Sequence, residues 1–107
     1  SDEMLPSFSA RMLDGIKMVE GAVPMVRHHM ERFDGTGPGK ISGEDIPLGA
    51  RMIRLASDME KLRSTGLKGA ELGAKALKEA KAGAGSAYDP KVVEAFSAVI
   101  EAQGGML

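Results

Sequence analysis

The chain has no cysteine and no tryptophan, and only one tyrosine and three phenylalanines. Without cysteine there is no disulfide framework and no thiolate metal site, a composition that fits a reducing, cytoplasmic setting. With so few aromatic rings the core must be aliphatic, filled by the eight methionines, whose flexible thioethers fit irregular gaps but specify geometry loosely. No apolar run approaches the roughly 20 residues that span a bilayer, and no signal-peptide pattern opens the chain. Nor does charge of one sign dominate: 14 basic and 15 acidic residues leave a net charge of -1. Nothing in that balance favours a polyanion, so nucleic-acid binding is not expected as a main activity. At 107 residues the whole chain is expected to be one helical domain or part of one.

What is present is helical periodicity broken by glycine. From Pro6 the residues Phe8, Met12, Ile16 and Val19 recur at helical spacing, and Gly21 ends the pattern. A second helix is expected from Ala22, with Pro24 in its first turn and Val23, Val26, Met30 and Phe33 as its apolar stripe. Four glycines and a proline between Gly35 and Gly43 stop it, and Ser42 with Asp45 has the spacing of a capping box. Beyond Pro47 a third helix shows the seam Leu48, Met52, Leu55, Met59 and Leu62. After a turn at Ser64 to Gly66, an alanine-rich helix from Lys68 to Ala82 carries only Leu72 and Leu77 as large apolar residues, which predicts weak anchoring. The stretch 83–87 reads as small and flexible. Asp89 and Pro90 are a strong helix start, followed by the apolar face Val92, Val93, Phe96, Val99 and Ile100. The expected fold is all-α, a five-helix bundle without strands.

The chemistry-bearing residues concentrate in residues 26–48, VRHHMERFDGTGPGKISGEDIPL. His28, His29, Glu31 and Asp34, with Asp58 on the following helix, are the residue types that hold a divalent ion for phosphoester hydrolysis. Neighbouring helical residues lie about 100° apart, however, so His28 and His29 do not face one mononuclear site. The glycine loop matches neither a dinucleotide fingerprint, since no strand precedes it, nor a Walker loop. A helix connector that needs positive φ angles accounts for it. No Ser–His–Asp or Cys–His arrangement is present.

The run HHMERFDGTGPGKISGEDIPLGARMIRLASDMEKL resembles the signature region of HD-GYP domains, all-helical, metal-dependent phosphodiesterases that hydrolyse cyclic di-GMP in bacterial signalling. That signature runs His-His-Glu, Asp-Gly, Gly-Tyr-Pro, Ile-Pro-Leu and Ala-Arg-Ile. Glu31, Asp34-Gly35, Gly37, Ile46-Pro47-Leu48 and Ala50-Arg51-Met52 match it, and Tyr88-Asp89-Pro90 through Phe96 resembles the closing segment. The likeness extends over residues 5–100. It implies loop or substrate-side roles for Glu31, Asp34, Gly35, Gly37 and Lys40.

The departures fall on functional positions. Aligned on Glu31, the two ligand histidines of the family become His29 and Met30. The ligand aspartate of the third helix becomes Ser57, with Asp58 one residue late. The tyrosine of Gly-Tyr-Pro is missing, the phosphate-binding arginines fall at Gly66 and Gly69, and an upstream His-Pro is Leu5-Pro6. The pair that names the family would lie upstream of Ser1, so the expectation is the C-terminal part of such a domain. His29 and Asp58 remain as metal candidates. The resemblance implies iron or manganese in the family, yet with these ligands gone no bound cofactor and no catalytic residue is expected here. The reading that follows is a catalytically degenerate signalling or interaction module of a bacterial cyclic di-GMP regulator. It would meet a protein partner or a second copy through exposed helical faces, or cyclic di-GMP itself, and neither nucleic acid nor membrane. Two alternatives stand beside it. One is a fragment of an active phosphodiesterase whose His-Asp half lies upstream. The other is a non-hydrolytic nucleotide sensor using Arg32, Lys40, Arg63 and Lys68.

Overall fold

The computed structural model describes Met12 and residues 28–107. Three α-helices follow a single 3-10 turn at Gly43–Asp45: α1 (Leu48–Arg63), α2 (Gly69–Ala82) and α3 (Pro90–Ala102). Among the described residues the chain is all-helical, with one isolated bridge between Ala84 and Tyr88 and no strand. The expected helix from Pro6 lies outside the described residues apart from Met12, which is helical and exposed. Five helices were expected and three are described.

The second expected helix ends earlier than its periodicity suggested. Its residues 22–27 lie outside the described residues; His28 is helical, and the backbone turns at His29 and Met30. The reason lies in the backbone donors that follow. Phe33 N–H donates to the Ala87 carbonyl (3.3 Å) and Asp34 N–H to the Ser86 carbonyl (2.9 Å), so neither is free to extend a helical ladder. The capping box is also absent. Ser42 makes no side-chain cap bond, and Asp45 N–H instead closes the 3-10 turn on the Ser42 carbonyl.

Each of the three helices packs on the other two, around a core of Leu55, Met59, Leu62, Leu72, Ala76, Ala80, Tyr88, Val93 and Ile100. Burying a large aliphatic side chain contributes about 1.5–3 kcal/mol, so Leu55, Leu72 and Ile100 anchor one helix each. Against expectation, the alanine-rich helix is firmly seated. Its buried face of Leu72, Gly73, Ala76 and Ala80 is narrow, which permits close approach rather than weak contact. A β-carbon on Gly73 would sit 2.0 Å from the Gly105 carbonyl oxygen, and Leu107 N–H donates to the Gly69 carbonyl (3.1 Å). The tail beyond α3 is thereby laid on α2.

Two expected apolar faces are only half used. Leu48 and Met52 on α1 and Val99 on α3 are each about half exposed. With Val92, Phe96 and neighbours they line an open groove of about 450 Å³. The loop 28–47 packs elsewhere on α1: it meets Arg54, which projects about 200° round the helix from Met52. The stretch 83–87 is a tight connection rather than a loose one. Ser86 and Tyr88 both donate backbone N–H to the Gly83 carbonyl, Gly85 takes φ +86°, and the Tyr88 ring lies where a Gly83 β-carbon would be (2.7 Å). Asp89 caps α3 as its sequence predicts, accepting the Lys91 N–H at 2.8 Å with Pro90 next.

Candidate functional site

The loop 31–40 is wound around one carboxylate. Glu31 is only 6 % exposed, and its Oε1 accepts the Gly39 N–H at 2.5 Å. The Gly37 and Gly39 backbones approach so closely that a β-carbon on either would lie 2.5–2.7 Å from a Glu31 carboxylate oxygen. Gly39 is therefore demanded by the Glu31 side chain, and Gly37 by that side chain together with the backbone of residues 31 and 32, neither of them by φ. Gly35 differs: its φ of +83° is a turn conformation that a side chain would strain. Lys40, exposed at the far end, takes φ +58° without being glycine.

Asp34 faces outward and closes an Asx turn. Its Oδ1 accepts the Thr36 hydroxyl (2.6 Å) and the Thr36 N–H (3.0 Å). These two bonds, with the charge of Arg32 behind them, hold the Asp34 carboxyl below the usual carboxylate range. Arg32 also donates Nε–H to the Thr36 hydroxyl at 2.9 Å, so this cation is committed to the loop's own structure.

On α1, Arg54 reaches back and donates to the Met30 carbonyl at 3.1 Å, fixing the loop to the helix. Its Nε lies 3.4 Å from Asp58 Oδ2, an ion pair without hydrogen-bond alignment. Asp58 Oδ2 also accepts the Tyr88 hydroxyl at 2.5 Å, and Lys61 stands 3.9 Å from Oδ1. Burial of the ring pushes the Tyr88 phenol far above its usual value, and the Asp58 carboxylate adds to that by accepting its proton and repelling the phenolate. A second ion pair ties the same elements together. Arg51 Nη1 lies 2.5 Å from Asp89 Oδ2, with the Arg51 Nε–H on the Ile46 carbonyl (2.9 Å). Burial alone raises the Asp89 carboxyl; the Arg51 bond and charge and the Lys91 N–H outweigh it and leave the group below its usual range.

The sequence-derived candidates are distributed unevenly over this geometry. Glu31, Asp34, Gly35, Gly37 and Lys40 share the loop. His28 and His29 are half-buried where the preceding helix ends, whereas the Met30 side chain is half exposed. Ser57 is half-buried on α1, about 100° round the helix from Asp58. Among the described residues no three His, Cys, Asp or Glu side chains form a group able to hold a metal ion. The sensor cations do not converge. Arg63, nine residues beyond Arg54, is about 14 Å further along α1, and it pairs with Glu60 (3.9 Å). The Asp58–Tyr88 bond and the Arg51–Asp89 pair have no sequence signal, because 30 and 38 residues separate their partners. Among the described residues no helix is long and apolar enough to cross a membrane.

Comparison with known proteins adds an independent line. A family model described as HD domain matches residues 4–92. A Vibrio cholerae protein named cyclic di-GMP phosphodiesterase is 44 % identical over 75 residues, covering 68 % of this chain and 15 % of the relative. A second Vibrio cholerae protein, named probable cyclic di-GMP phosphodiesterase, is 35 % identical over 84 residues, 74 % of this chain and 18 % of the relative. The chain thus spans less than a fifth of the length of these relatives.

Proposed function

Since the chain belongs to the HD-domain family, in an HD-GYP-like form, we propose that it is a cyclic di-GMP signalling module that has lost hydrolytic chemistry. Residues 1–107 would then be the C-terminal part of such a domain, a five-helix bundle whose first two helices lie largely outside the described residues. The observation that carries this reading is the state of the ligand positions. Met30 offers a half-exposed thioether and Ser57 a hydroxyl where the family resemblance calls for imidazole and carboxylate. Asp58, the nearest carboxylate on α1, is already engaged by Tyr88, Arg54 and Lys61. Thioether and hydroxyl are poor donors for iron or manganese, so the described donor set does not fit the family's metal centre, and we route no reaction step through one.

Under this reading the scaffold is retained because it presents surfaces. The loop 31–40 is the ligand-facing element, and the exposed apolar groove between α1 and α3 suits a protein partner or a second copy. Incubation of the protein with cyclic di-GMP and either iron or manganese tests the proposal. Intact dinucleotide is the expected outcome, and steady release of linear product would refute it. The likeness to proteins named cyclic di-GMP phosphodiesterase, of which the chain spans less than a fifth, supports the fragment alternative, and Met30 and Ser57 weigh against it. The sensor alternative rests on Lys40 and Lys68, both exposed, because Arg32 and Arg63 are paired elsewhere.

A further inference from the structure

Glu31 combines three features that a surface glutamate does not share. It is more than nine-tenths buried, its Oε1 takes a backbone N–H eight residues onward, and its Oε2 is enclosed without a hydrogen-bond partner among the described residues. A buried carboxylate oxygen left unpaired is costly, the more so when the group is charged. The surrounding loop must hold it there. The loop does so with glycine: at 39 a β-carbon would meet only the Glu31 carboxylate, and at 37 it would meet that carboxylate together with the backbone of residues 31 and 32. The contact is mutual. The Gly37–Lys40 turn, closed by the Lys40 N–H on the Gly37 carbonyl (3.2 Å), has no other side chain bonded to its amides among the described residues. Either side of that turn the loop is fixed by other bonds, through Gly35 N–H on the Arg32 carbonyl, Gly43 N–H on the Phe33 carbonyl, Arg32 on the Thr36 hydroxyl and Arg54 on the Met30 carbonyl. Between those clamps, Glu31 is the peg.

We infer that Glu31 is a positioning residue: its carboxylate sets the path of residues 37–40 and so fixes where Lys40, exposed and in the left-handed region, presents its ammonium group. It acts through the Gly39 amide and touches no ligand itself, since Oε2 is closed to solvent. The consequence for nucleotide binding rests on the reading of this loop as ligand-facing; the consequence for loop geometry does not.

Amide hydrogen exchange on the full chain separates the two. Glu31→Ala is expected to speed exchange at Gly39 by about tenfold or more, the loss of one charge-assisted bond, and to leave core amides of α1 and α3 within roughly twofold. Glu31→Gln keeps an acceptor at Oε1 and restores Gly39 protection. Gly39→Ala, whose β-carbon collides with Oε1, reproduces the Glu31→Ala signature and decides the matter if Glu31→Ala does not fold. Unchanged Gly39 protection in Glu31→Ala, or equal loss throughout the core, would overturn the inference. Calorimetry with cyclic di-GMP gives the second readout. Affinity falls about tenfold in Glu31→Ala and recovers in Glu31→Gln if Lys40 is placed as inferred. A wild-type protein that binds no cyclic di-GMP contradicts the ligand-facing role of the loop, and the exchange result then decides the role of Glu31 alone.

Discussion

Removing Arg51 should cost more stability than any other single truncation on the α1 surface. Its side chain is 12 % exposed and sits against an Asp89 side chain that is 4 % exposed, while its Nε–H holds the Ile46 carbonyl at the entry to α1. Arg51→Met preserves the aliphatic stem and deletes the charge. Asp89 is then left buried with only the Lys91 N–H as partner. Breaking a buried pair from one side costs about 3–5 kcal/mol; the surviving cap bond places this case near about 3 kcal/mol. For a small domain whose urea slope is about 1 kcal/mol per molar, the unfolding midpoint followed by circular dichroism should fall by about 3 M. Adding Asp89→Asn removes the stranded charge but still caps α3, and should recover about 2 kcal/mol. The pair also fixes a pH signature. Because Asp89 is held below its ordinary value, the unfolded chain binds the extra proton first. The contribution is therefore complete above the unfolded carboxylate value near about 3.9 and is lost as pH falls through the folded value. Wild type should lose stability more steeply than Arg51→Met in that acid range. A midpoint within about 0.5 M of wild type and an identical acid profile would refute the claim that this pair is desolvated and structural.

Three further outcomes follow from the same geometry. Tyr88 is the sole tyrosine, so its phenolate absorbance can be titrated directly, and it should ionise well above the free value of about 10. Stability should accordingly decline as pH rises past that free value, and ordinary titration near 10 would contradict the bond to Asp58. Tyr88→Phe strands the Asp58 oxygen and should lower stability by about 1.5–3 kcal/mol in the same urea assay. Gly73→Ala offers a test of sign. Helix propensity alone predicts a gain of about 0.5–1 kcal/mol, whereas collision with the Gly105 carbonyl predicts a loss of about 1–3 kcal/mol and a lower melting temperature.

Local signals carried much of this architecture. Asp89-Pro90 announced the start of α3, and the spacing of Leu55, Met59 and Leu62 announced the buried edge of α1. The signals misled where the deciding partner was distant in sequence. Phe33 sits in helical register with Val26 and Met30, yet its backbone is taken by residue 87, and no period reveals that. Leu48 and Met52 continue the α1 seam in sequence, but α2 and α3 cover only its later part. The small residues of α2 suggested loose packing until Gly73 was seen against the tail, since small side chains look alike whether exposed or closely packed. At the candidate site the loop residues were legible as a cluster. The engagement of Asp58 by Tyr88 and the enclosure of Glu31 were not, because both depend on how the chain returns on itself.

On the proposed reading, the ligand set of this HD-domain chain no longer holds a metal centre. This is tested most directly by metal stoichiometry. Protein stripped of metal, reloaded with iron or manganese and passed through a desalting column should retain far less than one ion per chain by inductively coupled plasma analysis. Retention of one or two ions per chain, lost on Ser57→Ala or Asp58→Asn and accompanied by cleavage of cyclic di-GMP, would contradict the account.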